Sequence, residues 1–193
     1  MRVVRFCLWW YYCVILSVWL EGRFMRLRPY QKKDFTYLQK WIGDARTNAL
    51  WCANRLPFPL MEEDFQKMLE TSERDWGSCG YTFTEDSGTP VGFFLYNVNE
   101  NENYGFCSYI VIDSSLRGRG YGTQMLKRLL KYAFLITNVT DVRLNVFDVN
   151  EHAKRCYEKA GFSEAAFTAE ALMFEKESWG RFMMRAKREC RYT

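Results

Sequence analysis

Leu116-Arg117-Gly118-Arg119-Gly120-Tyr121-Gly122 joins an apolar run ending in Ile110-Val111-Ile112 to a helical pattern that begins at its own last residues. Glycine lets a backbone turn tightly and approach another molecule with no side chain in the way. The first amides of a helix lack partners inside it and point towards whatever anion lies before them. A pyrophosphate suits that place chemically; a plain tight turn would use the same letters. A nucleotide P-loop would not, since no Gly-Lys-Ser/Thr follows, and the full Gly-x-Gly-x-x-Gly of a dinucleotide fold is missing.

Downstream, Met125, Leu126, Leu129, Leu130 and Ala133 recur at helical spacing. Residues 142–147 have strand character. Ala153, Cys156, Tyr157 and Ala160 then share a second helical face, closed by Gly161. Two last strands are expected around residues 167–175 and 180–186. Upstream, residues 25–29 read as a short edge strand ended by a proline. Asp34 is expected to cap a helix carrying Phe35, Leu38, Trp41 and Ile42 on its apolar side. Gly43-Asp44 ends that helix, and an irregular region closed by Pro57-Phe58-Pro59 follows. The next helix buries Phe65, Met68 and Leu69 and places Glu62, Glu63 and Asp64 in its first turn, where they complement the dipole. Residues 81–84 and 91–96 flank the turn Ser87-Gly88-Thr89-Pro90, and residues 104–112 form another strand. The total is α/β: a single domain over residues 25–188, with a mixed sheet flanked by helices and a tail at 189–193.

Composition narrows the function. The 193 residues are 48% hydrophobic and 26% charged, which excludes a disordered chain. Of the net charge of +4, Arg2, Arg5, Arg23 and Glu21 supply +2, so the domain itself offers nucleic acid little electrostatic hold. Lys127, Arg128 and Lys131 fit phosphate contacts or a solvated helix face. Cys7, Cys13, Cys52, Cys79, Cys107, Cys156 and Cys190 are dispersed, and His152 is the sole histidine. No metal site is therefore expected, and an odd cysteine count suits a reducing cytoplasm better than a disulfide scaffold.

Ahead of the domain, Arg2 and Arg5 precede an apolar run over residues 6–20. It resembles a signal peptide without the small residues of a cleavage point, and falls short of the roughly 17–25 residues that span a bilayer. An uncleaved anchor, an interfacial segment and an extension from an early start are the three readings. The extension, residues 1–24, is preferred because Met25 directly precedes the first strand signal. Membrane association follows only if that run is retained.

Two blocks in the right order make the chain resemble the GNAT superfamily of N-acetyltransferases. That family's acyl-CoA loop, Arg/Gln-x-x-Gly-x-Gly/Ala, is matched by Arg117, Gly120 and Gly122. The stretch Val146-x-x-x-Asn150-x-x-Ala153-x-x-x-Tyr157-Glu158-Lys159-Ala160-Gly161-Phe162 is similar to its downstream block. Trp41, Pro57-Phe58-Pro59, Trp179 and Phe182-Met183-Met184 resemble the branch of ribosomal-protein and related amine acetyltransferases.

The resemblance implies a GNAT-like sheet with a splayed central strand pair, acetyl-CoA as cosubstrate, and direct attack of a primary amine on the thioester. Ile110, Val111 and Ile112 would hydrogen-bond the pantetheine arm through their backbone, with donors near Val111 and Ile112 facing the developing oxyanion. The amides of Arg117, Gly118, Arg119, Gly120, Tyr121 and Gly122 would hold the pyrophosphate. Asn150 would order the cofactor, cap the second helix, or both. Tyr157 would protonate the departing thiolate, or else close the core as an aromatic lid.

The general base stays open among Glu100, Glu102 and a carboxylate near residues 175–177. His152 belongs to an exposed first turn, and Cys156 to a packed face rather than an acetyl-cysteine intermediate. Trp51, Phe58 and Trp179 either border an acceptor cleft or serve the structure. A protein N-terminus, a polyamine, an aminoglycoside and an amino-acid derivative all remain open as acceptors, and a homodimer is allowed. The competing readings are a noncatalytic acyl-CoA-binding regulatory module and a structural protein whose glycines merely complete the fold.

Overall fold

A computed structural model describes residues 25–188. The apolar run at residues 1–24, with its start-site and membrane readings, and the tail at 189–193 lie outside the described residues. In chain order the elements are β1 (Arg26–Pro29), α1 (Phe35–Trp41), α2 (Ala45–Cys52), α3 (Glu62–Trp76), β2 (Cys79–Thr84), β3 (Pro90–Asn99), β4 (Tyr104–Ile112), α4 (Tyr121–Tyr132), β5 (Asp141–Phe147), α5 (Glu151–Ala160), β6 (Ser163–Phe174) and β7 (Glu177–Lys187). The strands make one seven-stranded sheet in the order β1-β2-β3-β4-β5-β7-β6. Only β4 and β5 run parallel, with α4 as the crossover that parallel neighbours require.

Helices cover both faces. Met125, Leu126, Leu129 and Leu130 of α4 and Tyr157 and Ala160 of α5 pack with Val142, Leu144 and Met184 on one side. Phe35, Leu38, Trp51 and Phe65, from α1, α2 and α3, pack with Phe93, Leu95 and Val111 on the other. A smaller cluster joins Ala49 of α2 to Phe147, Phe174 and Trp179. Among the described residues no helix is long and apolar enough to cross a membrane.

Two local expectations are corrected. Residues 45–52 are not irregular; they form α2, whose N-cap Asp44 accepts the Thr47 amide at 2.7 Å. Its periodicity is faint because the buried face mixes Asn48 and Ala49 with Trp51 and Cys52. Asp34 precedes α1 but its side chain does not cap it. Its backbone is already helical (φ −76°, ψ −13°), whereas a capping residue needs an extended one. The carboxylate instead accepts two bonds from Arg28, at 2.6 and 2.8 Å, one from the Thr82 hydroxyl at 2.9 Å and one from the Gln31 amide at 3.0 Å. It fastens the start of α1 to β1 and β2.

Candidate active site

β4 and β5 pair only from Tyr104↔Asp141 to Cys107↔Leu144. Beyond that point each follows its outer neighbour, β4 with β3 as far as Gly92↔Ile112 and β5 with β7 as far as Phe147↔Arg181. The central pair is a fork, and β5 pairs with none of Ile110, Val111 and Ile112.

A bulge opens the fork. Phe93 pairs with Val111 but Leu95 with Ser108, so β4 carries one residue more than β3 over that interval. Tyr109 sits in the left-handed region at φ 51°. Cys107 packs on the α4/α5 side and Tyr109 on the opposite side, although residues two apart in a regular strand share a face. Trp51 of α2 anchors the turn, donating from Nε1 to the Tyr109 carbonyl at 2.8 Å with the two rings edge to face.

Beside the fork, Gly118 and Gly120 adopt φ 77° and 83°. A Cβ at either would meet nothing within 4 Å, so backbone conformation and not packing asks for glycine there. Gly120 is the N-cap of α4 and supplies no side-chain cap. The first helical bond runs from the Gln124 amide to the Gly120 carbonyl at 3.0 Å, so the amides of Gly122 and Thr123 precede the first helical acceptor. Arg117, Gly118, Arg119 and Gly120 are exposed, whereas the Tyr121 ring is buried and its hydroxyl donates to Glu85 at 3.1 Å. Gly122 has a different reason to be glycine. A Cβ there would lie 2.9 Å from Cys156 Sγ, so its smallness lets α4 and α5 touch.

From α5, Asn150 accepts the Ala153 amide at 3.2 Å as the helix N-cap. Tyr157 is 7% exposed and packs against Phe162. Burial first, then the neighbouring thiols of Cys107 and Cys156, pushes its phenol far above the ordinary range. Cys107 is the last β4 residue paired with β5, which puts Tyr157 near the apex of the fork.

The remaining candidates separate cleanly. Glu100 and Glu102 lie by the β3–β4 turn, at the closed end of the fork, and Glu102 accepts from Arg143 at 3.4 Å. Glu177 lies at the open end and accepts from Arg46 and Trp179, each at 2.8 Å; the Arg46 bond leads in holding its carboxyl below the usual range, which makes it a weak base. His152 is exposed in the first turn of α5. Cys156 is half-buried against Thr123, and burial pushes its thiol up, away from the thiolate a nucleophile needs. Trp179 is fully buried and Trp51 anchors the bulge, so of the three proposed cleft aromatics only Phe58, 42% exposed, faces solvent. Lys127 is exposed and Arg128 and Lys131 half-exposed along the flank of α4. No three His, Cys, Asp or Glu side chains gather to hold a metal among the described residues.

α2 lies beside the site, and its helical form is what the sequence left illegible. The Asp44-x-x-Thr47 cap was its one local signal. Its N-terminus lies next to the glycine loop: the Thr47 amide and hydroxyl lead in holding Asp44 below the usual carboxylate range, and Arg117 adds to them.

A parallel pair forked by a bulge, beside an uncapped helix start, defines the class of acyl-CoA-dependent N-acyltransferase folds. The chain belongs to the acetyltransferase (GNAT) family, whose model matches residues 35–162. It is 30% identical over 98 residues to the spermine/spermidine N(1)-acetyltransferase of Bacillus subtilis, a stretch covering 46% of this chain and 64% of that relative. Among solved structures it is similar to the Vibrio cholerae spermidine N-acetyltransferase in complex with CoA and spermine. That likeness has a TM-score of 0.72 at 17% identity and covers 84% of this chain and 95% of the other. A chimera of the same enzyme gives 0.70 at 18%, with the same coverage.

Proposed function

We propose that the domain at residues 25–188 transfers acetyl from acetyl-CoA to a primary amine of a small polyamine. The fork opening beside the uncapped amides of α4 carries the reading: it offers unpaired strand backbone to an amide-bearing arm and amide donors to a diphosphate. Ile110, Val111 and Ile112 take the pantetheine. The loop Arg117–Gly122 takes the pyrophosphate, and Asn150 orders α5 next to it. A neutral amine attacks the thioester carbonyl, its own proton leaving to solvent. Backbone donors near Val111 and Ile112 meet the oxyanion, and Tyr157 protonates the thiolate.

The named relatives act on spermine and spermidine, which turns the acceptor from the ribosomal-protein branch and from protein N-termini towards polyamines. Carboxylates at the open end suit a polycation: Asp44 heads α2, and Glu175 and Glu177 bracket the β6–β7 turn. Incubation of the full chain with labelled acetyl-CoA, spermidine, spermine and peptides with free N-termini is expected to label the polyamines, with products identified by mass. Acyl-CoA binding with no acetylated amine in any tube would instead establish the noncatalytic module.

The loop has its own test. Gly120→Ala adds a side chain that meets no protein atom but enters the space a bound diphosphate would take, and the left-handed backbone adds about 1–2 kcal/mol of strain. An acetyl-CoA Kd raised about tenfold by calorimetry, with the fold intact by circular dichroism, is the expected result. An unchanged Kd would remove the loop from the cofactor site.

A further inference from the structure

We infer that Arg46 occupies a cation subsite, formed by Glu177 and Trp179, which a charged nitrogen of the acceptor takes over. The inference rests on the transfer reading above and makes Arg46 a determinant of polyamine affinity. The subsite is seen already filled. Arg46 Nη1 donates to Glu177 Oε1 at 2.8 Å, and its guanidinium lies 5.0 Å from the centroid of the Trp179 ring and 5.9 Å from that of Phe174. Those two rings stack with centroids 4.9 Å apart, and the Trp179 indole donates to the other oxygen of Glu177 at 2.8 Å. A carboxylate held beside an aromatic face recognises a cation whatever its source.

Its place gives the use. β5 ends its ladder at Phe147↔Arg181, but β7 begins at Glu177, so the β6–β7 hairpin runs on past the open end of the fork. α2 crosses between the two arms on one face of the sheet. Trp51 in its last turn bonds the Tyr109 carbonyl of β4, while Ala49 packs with Phe147, Phe174 and Trp179 on the other arm. The first turn of α2 stands at the mouth, with Asp44 in the field of Arg117 from the glycine loop and Arg46 on the hairpin. An attacking nitrogen sits unprotonated at the thioester, which leaves the other nitrogens of a polyamine charged and free for the mouth. The Arg46 and Glu177 side chains are 45% and 50% exposed. An ion pair so open to water is weak, and another cation displaces it at small cost. Glu175 and Asp44 act on the same guanidinium, so the position favours positive charge whichever cation fills it.

Steady-state kinetics with spermidine at saturating acetyl-CoA, run as a double-mutant cycle on the full chain, test this. Arg46→Met keeps an apolar cover on Trp179 and removes the competing charge, so the KM for spermidine is expected to fall about three- to fivefold. Glu177→Gln keeps an acceptor for the Trp179 indole and removes the charge that both cations seek. In that background Arg46→Met is expected to bring no fall in KM. A purely structural ion pair predicts otherwise: without Arg46 the hold of α2 on the hairpin loosens, and the spermidine KM rises or stays. That result, or an equal fall in both backgrounds, overturns the inference. Wild-type protein that acetylates neither spermidine nor spermine removes the polyamine reading instead, and is recognised before any variant is made.

Discussion

Tyr157→Phe is expected to slow acetyl transfer by about 10²-fold or more, within the range for removing a positioned proton donor, while acetyl-CoA still binds. The hydroxyl is the only group removed. The ring, packed against Phe162 in the α4/α5 core, stays, so the fold and the cofactor site persist. Burial keeps the phenol protonated far beyond its ordinary value of about 10, so the proton is there to give; the same burial weakens the acid, and the transfer needs a thiolate that is desolvated as well. The wild-type rate should therefore climb with pH as the amine loses its proton, with no fall below pH ~10 from Tyr157. The sign of the linkage is fixed as well. A raised value in the folded state means stability that is complete below the unfolded value of about 10 and declines as pH rises above it. Single-turnover rates of the wild type and Tyr157→Phe across pH, at saturating spermidine and acetyl-CoA, settle the role. Equal rates would leave Tyr157 as a lid on the core.

The second large effect concerns the frame. Asp34→Ala is expected to destabilise the fold by about 3 kcal/mol, measured by urea unfolding. The carboxylate is 3% exposed and receives Arg28, Thr82 and Gln31. Its removal strands the Arg28 guanidinium, although that side chain is 25% exposed and partly recovers water, which keeps the figure at the low end of the range for broken buried pairs. Burial alone would raise the Asp34 pKa. The Arg28, Gln31 and Thr82 bonds outweigh it and hold the carboxyl below its ordinary value. A depressed value means that the stabilisation is present above the unfolded pKa of roughly 3.9 and is lost as pH falls through the folded one. Wild type and Asp34→Ala should converge in stability on acidification. A constant gap down to pH ~2 would show that the carboxylate's charge is not what holds α1.

Much of the molecule is written in short stretches of chain. Apolar spacing places β4, α4 and α5 within a residue or two, because each helix buries one face and neighbours three or four apart make that face. The Arg117–Gly122 loop and the Val146–Phe162 block announce the family, since a left-handed turn and a helix cap depend on consecutive residues. Edges were less legible. β6 starts at Ser163, ahead of residue 167, because its ladder to β7 carries it through a stretch with neither face buried, where alternation leaves no mark. α2 hid because half its buried face is small or polar.

The amino-acid order by itself determined the fold class, the order of most elements and the glycine turn, all consequences of local conformational preference and of which side chains avoid water. The fork followed only from the family resemblance, and tertiary structure alone decided the bulge that opens it, since one extra residue in β4 counts only against its partner β3, and neither strand records the other's register. It also decided that Gly122 answers to Cys156, that Asp34 belongs to Arg28 and that Asn48 bonds the Leu56 carbonyl. Each of these is a contact between residues far apart in the chain or on different elements, and such contacts exist only once the backbone has brought the elements together.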